Sequence, residues 1–167
     1  MTLEEAIKTA LYYEAKIRDL YQEASVRIPH AMGRRIMEAL RDDEQHHLDY
    51  LEDRLREWQK TGEISKKILE TKIPSGKGFK EDVKKVEKKM AGDPLGDQAQ
   101  MLSRALHLEM ETSQFYERMV RELSGDGREM FARFLEIEQA HINAVQAELD
   151  YLSRTGYWFD MKEFDME

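Results

Sequence analysis

Apolar residues recur every three or four positions along most of the chain. Leu3, Ala6, Ile7, Ala10, Leu11, Ile17, Leu20 and Tyr21 make the first run, the period of a helix with one buried face. Thr2 and Glu5 form the T-x-x-E pattern that caps a helix start. Together they predict a helix over about residues 2–27, with Pro29 ending it or opening the next. Ile36, Met37, Leu40, Leu48, Leu51 and Leu55 predict a second helix over about 30–59, stopped by Gly62. Asp93-Pro94 reads as an N-cap followed by proline at the first helical position, opening a third helix over about 94–123. Ser124-Gly125-Asp126-Gly127 is a tight break, and a fourth helix over about 127–154 ends at Gly156.

Between the second and third helices, residues 61–93 break the pattern. Pro74, Gly76 and Gly78 mark a loop, and Phe79, Val83, Val86 and Met90 are spaced for a short amphipathic helix. Short connections make the first and second helices antiparallel, and likewise the third and fourth. The longer segment can span the length of a bundle. The expected fold is all-α: a four-helix bundle with one long crossover, a single domain over residues 1–167. The two halves also resemble each other. Ala10, Leu11, Glu14 and Tyr21 match Ala105, Leu106, Glu109 and Tyr116 at an offset of 95. Gly33, Arg34, Glu44, Gln45, His47, Thr61 and Gly62 match Gly127, Arg128, Glu138, Gln139, His141, Thr155 and Gly156 at an offset of 94. A duplicated helical hairpin accounts for both.

Composition narrows the chemistry. The 167 residues carry no cysteine, which removes disulfides, thiolate metal sites and a cysteine nucleophile. A formal net charge of -8 argues against nucleic-acid binding. The basic stretch Lys60–Asp93, with ten Lys against six acids, reads as a solvated face. No apolar run approaches the roughly 18 residues of a membrane span. The acidic, amphipathic N-terminus does not read as a signal peptide, so a cytoplasmic protein is expected.

Four repeated acids fall where acids are least comfortable. Glu14, Glu44, Glu109 and Glu138 share helix faces with the apolar stripes, as do His47 and His141 one turn beyond two of them. Four buried carboxylates are very unfavourable without compensating charge. These faces hold no lysine, whereas two divalent cations balance four carboxylates. Carboxylate oxygens with imidazole nitrogens suit iron or manganese.

Glu14, Glu44-x-x-His47, Glu109 and Glu138-x-x-His141 form the donor set of di-iron carboxylate bundles. Over residues 2–156 the chain resembles the ferritin-like superfamily, in its rubrerythrin and bacterioferritin branches. The resemblance implies a ferritin-like bundle holding two iron ions per chain, with manganese or a mixed pair as variants. It implies that Glu44 and Glu138 bridge the metals. Glu14 with His47 and Glu109 with His141 then complete the two ends. Tyr21 and Tyr116 lie two turns beyond the terminal glutamates and read as hydrogen-bond donors to carboxylates across the bundle, or as plain core packing.

Two departures from rubrerythrins matter. Leu106 stands where those that reduce peroxide carry an extra glutamate, and the absence of cysteine means no rubredoxin domain. The expected activity is oxidation of bound Fe(II) by O2 or H2O2, of rubrerythrin-like peroxidase or ferroxidase type, with any re-reduction by an external donor. Iron storage or a cargo role, a di-metal oxygenase with an organic substrate, and a helical interaction module with a dead site are the competing readings. A homodimer is the favoured assembly. His46, His107 and Glu111 are expected at the surface, the Asp43-x-x-His46 pair on the wrong face, His30 without a chemical role and the ten Met as core filling. The tail 157–167, apolar and acidic together, is expected to fold over a bundle end or onto a partner.

Overall fold

The computed structural model describes residues 1–29, 31–73 and 96–155. The expected Pro74–Gly78 loop, the 79–90 helix, the Asp93-Pro94 cap, His30, Gly156 and the 157–167 tail lie outside those residues. Among the described residues every regular element is a helix: α1 (Leu3–Arg27), α2 (Ala31–Thr61), α3 (Gly96–Glu122) and α4 (Gly125–Thr155). None is long and apolar enough to cross a membrane.

The ends form for local reasons. At the start of α1 the Thr2 hydroxyl accepts from Glu5 N at 3.2 Å, and Thr2 N donates to the Glu5 carboxylate at 2.8 Å, closing the capping box. Ile28 is extended ahead of Pro29, as the proline ring demands. After α2, Gly62 takes a φ of +75° while its N–H reaches Trp58 O at 2.8 Å. Gly127 has a packing role instead. A Cβ there would come within 3.0 Å of a Leu3 methyl, so α4 begins in close contact with the start of α1.

α1 packs along α2, α3 along α4, and α1 against α3. Two apolar clusters fill the bundle. One gathers Ile17, Ile36, Met37, Leu40, Leu102, Leu106, Ile142 and Val145. The other gathers Ile7, Ala10, Leu51, Met119, Phe131 and Phe134. Each helix therefore has one end in each cluster. α2 finishes in the second cluster and α3 starts in the first, so the connection must run the length of the bundle. Its opening stretch is irregular and does so: Ile64 and Leu69 are buried in the second cluster and Ile73 in the first. Tyr50 on α2 and Arg133 on α4 pin this strap by donating to Lys67 O at 2.5 Å and Leu69 O at 2.8 Å.

Candidate metal centre

The six acids and histidines singled out by the repeat lie between the two clusters, each fully buried. Glu14, Glu44, His47, Glu109, Glu138 and His141 all have 0% exposure. Helical spacing puts them there. On α1, Glu14 is one turn from Ala10 of one cluster and Ile17 of the other; on α4, Glu138 is one turn from Phe134 and Ile142. The helices thus carry the acids inward because their neighbours along the same stripe are core residues.

The donor atoms converge in two overlapping groups. Glu14, Glu44, Glu138 and His47 present atoms within 4.8 Å of one another, as do Glu44, Glu109, Glu138 and His141. Glu44 and Glu138 belong to both. His47 Nδ1 stands 3.1 Å from Glu14 and 3.4 Å from Glu44. His141 Nδ1 stands 2.6 Å from Glu44 and 3.3 Å from Glu109. The two imidazole rings are stacked, 5.3 Å between centroids and 12° from parallel.

Tyrosines hold the outer carboxylates. Tyr21 OH on α1 donates to Glu109 on α3 at 2.5 Å, and Tyr116 OH on α3 donates to Glu14 on α1. Each crosses between the halves, which makes both tyrosines donors to carboxylates and not core packing alone. Both phenols are pushed well above their ordinary pKa by burial and by the carboxylates around them. They stay donors.

The charges are arranged around these bonds. Burial raises Glu44 well above the carboxylate range, helped by Glu14 and Glu109. Glu138 is raised for the same reason, by burial and then by Glu109 and Glu14. Burial works against charge on Glu14 too, but the adjacent Glu44 carboxyl, the charge of His47 and the contacts with His47 and Tyr116 draw it down to about 2. Burial also disfavours charged histidines. Glu14 and Glu44 nevertheless lift His47 well above 6.5, and Glu44 and Asp43 lift His141.

Asp43 overturns an expectation. Its three-residue spacing from His46 predicts a pair on the wrong face. His46 is indeed exposed, but Asp43 is 5% exposed and faces inward. Its Oδ2 lies 2.6 Å from His141 Nε2 and 3.3 Å from His47 Nε2. It accepts from Thr71 Oγ1 at 2.6 Å and from Lys72 N at 3.3 Å, which ties the strap to the centre. These partners hold Asp43 far below the usual carboxylate range although burial opposes its charge. The signal was in the sequence: Asp43 and His47 are four apart, so they share a face. On its outer side Asp43 helps line a cavity of 510 Å³ between α2 and the strap.

His107 and Glu111 are exposed as expected, and Met37, Met101, Met119 and Met130 are core. Leu106 is fully buried within the first cluster, one turn before Glu109. The donor set fits a pair of divalent cations. Both oxygens of Glu44, both of Glu138 and one of Glu109 are buried without a hydrogen bond, a costly condition. They face the two imidazoles. What the structure establishes is an all-α four-helix bundle with buried carboxylate and histidine groups able to hold metal. Compared with protein-family models, curated proteins and solved structures, the chain finds no significant match.

Proposed function

We propose that the chain is a cytoplasmic di-iron carboxylate protein of the ferritin-like superfamily that oxidises bound Fe(II) with O2 or H2O2. One observation carries the reading: two groups of four donors share Glu44 and Glu138, whose oxygens lack hydrogen bonds. Glu44 and Glu138 would bridge the ions, Glu14 and His47 would complete one position, and Glu109 and His141 the other. Two Fe(II) ions, when bound there, supply the two electrons that reduce one oxidant molecule.

The chain's own residues set the conditions. Tyr21 and Tyr116 fix the outer carboxylates, so Glu109 and Glu14 cannot swing away without breaking a charged hydrogen bond. The two apolar clusters exclude water from both ends. With no cysteine in these 167 residues, electrons for another turnover would come from a donor outside the bundle. A second copy of the chain as partner is consistent with exposed Tyr12 and Val26 along α1.

The test is anaerobic loading with Fe(II), iron analysis, then rapid mixing with O2 or H2O2. Two iron ions per chain and oxidation by either oxidant are expected. Glu44→Ala or Glu138→Ala should each lose both ions, because each removed carboxylate serves both. Full iron content in both variants would contradict the bridging roles. Iron binding with no oxidation by either oxidant would favour storage or cargo instead.

A further inference from the structure

We propose that Asp43 is a single positioning residue shared by both histidines, and that it makes the two metal positions unequal. This rests on the dinuclear reading above. The duplication makes the point visible. Glu44 and His47 match Glu138 and His141 at an offset of 94, but the partner of Asp43 in that frame is Ile137. One half of the molecule supplies a carboxylate and the other a hydrocarbon.

The geometry shows what one carboxylate does for two rings. The stacked imidazoles direct both Nε2 atoms toward Asp43 and both Nδ1 atoms toward the glutamates. A neutral imidazole carries one N–H. An Nε2–H donated to Asp43 leaves the Nδ1 lone pair for metal and raises its basicity. Asp43 thereby selects the metal-binding tautomer of His141 and, through a longer contact of 3.3 Å, only biases that of His47.

It does not serve them equally. Oδ2 has three claimants: His141 at 2.6 Å, Thr71 at 2.6 Å and His47 at 3.3 Å. A carboxylate oxygen has two lone pairs, so the longest contact is the weak one. His141 Nε2 makes a hydrogen bond to Asp43, whereas His47 Nε2 is buried without one. The better-oriented ligand is His141, reached across the bundle, rather than His47 on Asp43's own helix. The position built from Glu109 and His141 therefore fills first and holds tighter. Thr71 acts through Asp43: its hydroxyl fixes Oδ2, so the strap takes part in setting this difference.

The probe is Co2+ alone, added to the full metal-free chain. Binding is followed by visible absorption and equilibrium dialysis, and helix content by circular dichroism. Ring-15N histidine NMR, assigned with His47→Ala and His141→Ala, identifies which imidazole responds to the first ion. Wild type should take up two Co2+ in separate steps, the first at His141. Asp43→Asn, nearly isosteric, should weaken the first step about 10–100-fold and bring the two steps together. Thr71→Val keeps the carboxylate and should shift the same step in the same direction by less. A merely structural Asp43 would lower the melting temperature and leave the gap between steps intact; that result overturns the proposal. So does first binding at His47, or two equal steps in wild type. If Asp43→Asn does not fold, an unchanged gap in Thr71→Val overturns it. Wild type that binds no Co2+ would remove the dinuclear reading as well, whereas two ions bound equally would remove this inference alone.

Discussion

Tyr116 and Tyr21 each place one hydroxyl on one buried carboxylate, so deleting that hydroxyl isolates a single interaction. A hydrogen bond to a charged group contributes about 1.5–3 kcal/mol. Tyr116→Phe should cost about that much in the metal-free protein, because Glu14 loses its donor from α3. Metal on the same carboxylate should recover part of the loss. Denaturant unfolding with and without metal checks this, and equal losses in both states would show that the hydroxyl does not act on a ligand. Leu106 offers a converse experiment. It is fully buried one turn before Glu109, so Leu106→Glu places a further carboxylate beside the centre. That variant should fold well only with metal present and should alter the ratio of O2 to H2O2 oxidation rates. Identical ratios in a variant that still binds two metals would show that position 106 does not set the chemistry. At this scale the repeat revealed residues that occur twice, and so could not reveal Asp43. Its counterpart is Ile137, and pairing it with His46 at three residues hid the pairing with His47 at four.

Helices were legible wherever one face is buried, because burial imposes a period. α1 and α2 begin and end within a few residues of the positions their caps and glycines indicate. The strap was legible only as an interruption. Residues 62–73 carry Ile64, Leu69 and Ile73 into the core, yet the step of five from Ile64 to Leu69 breaks both the helical and the strand period. What holds them is tertiary: the Tyr50 and Arg133 bonds and the Asp43 contacts. Sequence alone could show that the connection is long enough to cross the bundle, but not that it lies against the centre. The strap should behave as core rather than as loop. Leu69 is 1% exposed, so Leu69→Ala should cost about 2–5 kcal/mol, comparable to a truncation inside a helix such as Ile17→Ala. An effect near zero by denaturant unfolding would show that the strap is dispensable to the fold.

Across the whole molecule, the buried centre ties stability to pH, and metal should reverse the sign of that tie. In metal-free protein Glu44 and Glu138 are raised above 4.5, and His47 and His141 above 6.5. A group raised on folding binds its proton more tightly in the native state. Its stabilisation is complete below the unfolded pKa and disappears as pH climbs through the folded one. Glu14, drawn down to about 2 from 4.5, and Asp43, held below 3.8, act oppositely. Their contribution is present above those ordinary values and is lost as pH falls through the folded ones. This cluster should therefore favour the metal-free protein most near the ordinary carboxylate value of 4.5, where Glu14 and Asp43 contribute in full and Glu44 and Glu138 have not yet lost their share, and should weaken as pH rises from there, with the histidines adding to the loss above 6.5. Metal takes over the role of the protons on Glu44, Glu138, His47 and His141. Binding in mildly acidic solution should therefore release protons from this cluster. Acid then competes with metal, and the loaded protein should lose stability as pH falls. Melting curves between pH 5 and 8, with chelator and with saturating Mn2+ or Fe2+, should slope in opposite directions. An indicator dye in weak buffer should report the released protons. Parallel slopes with no proton release would mean that metal does not enter this cluster of carboxylates and imidazoles.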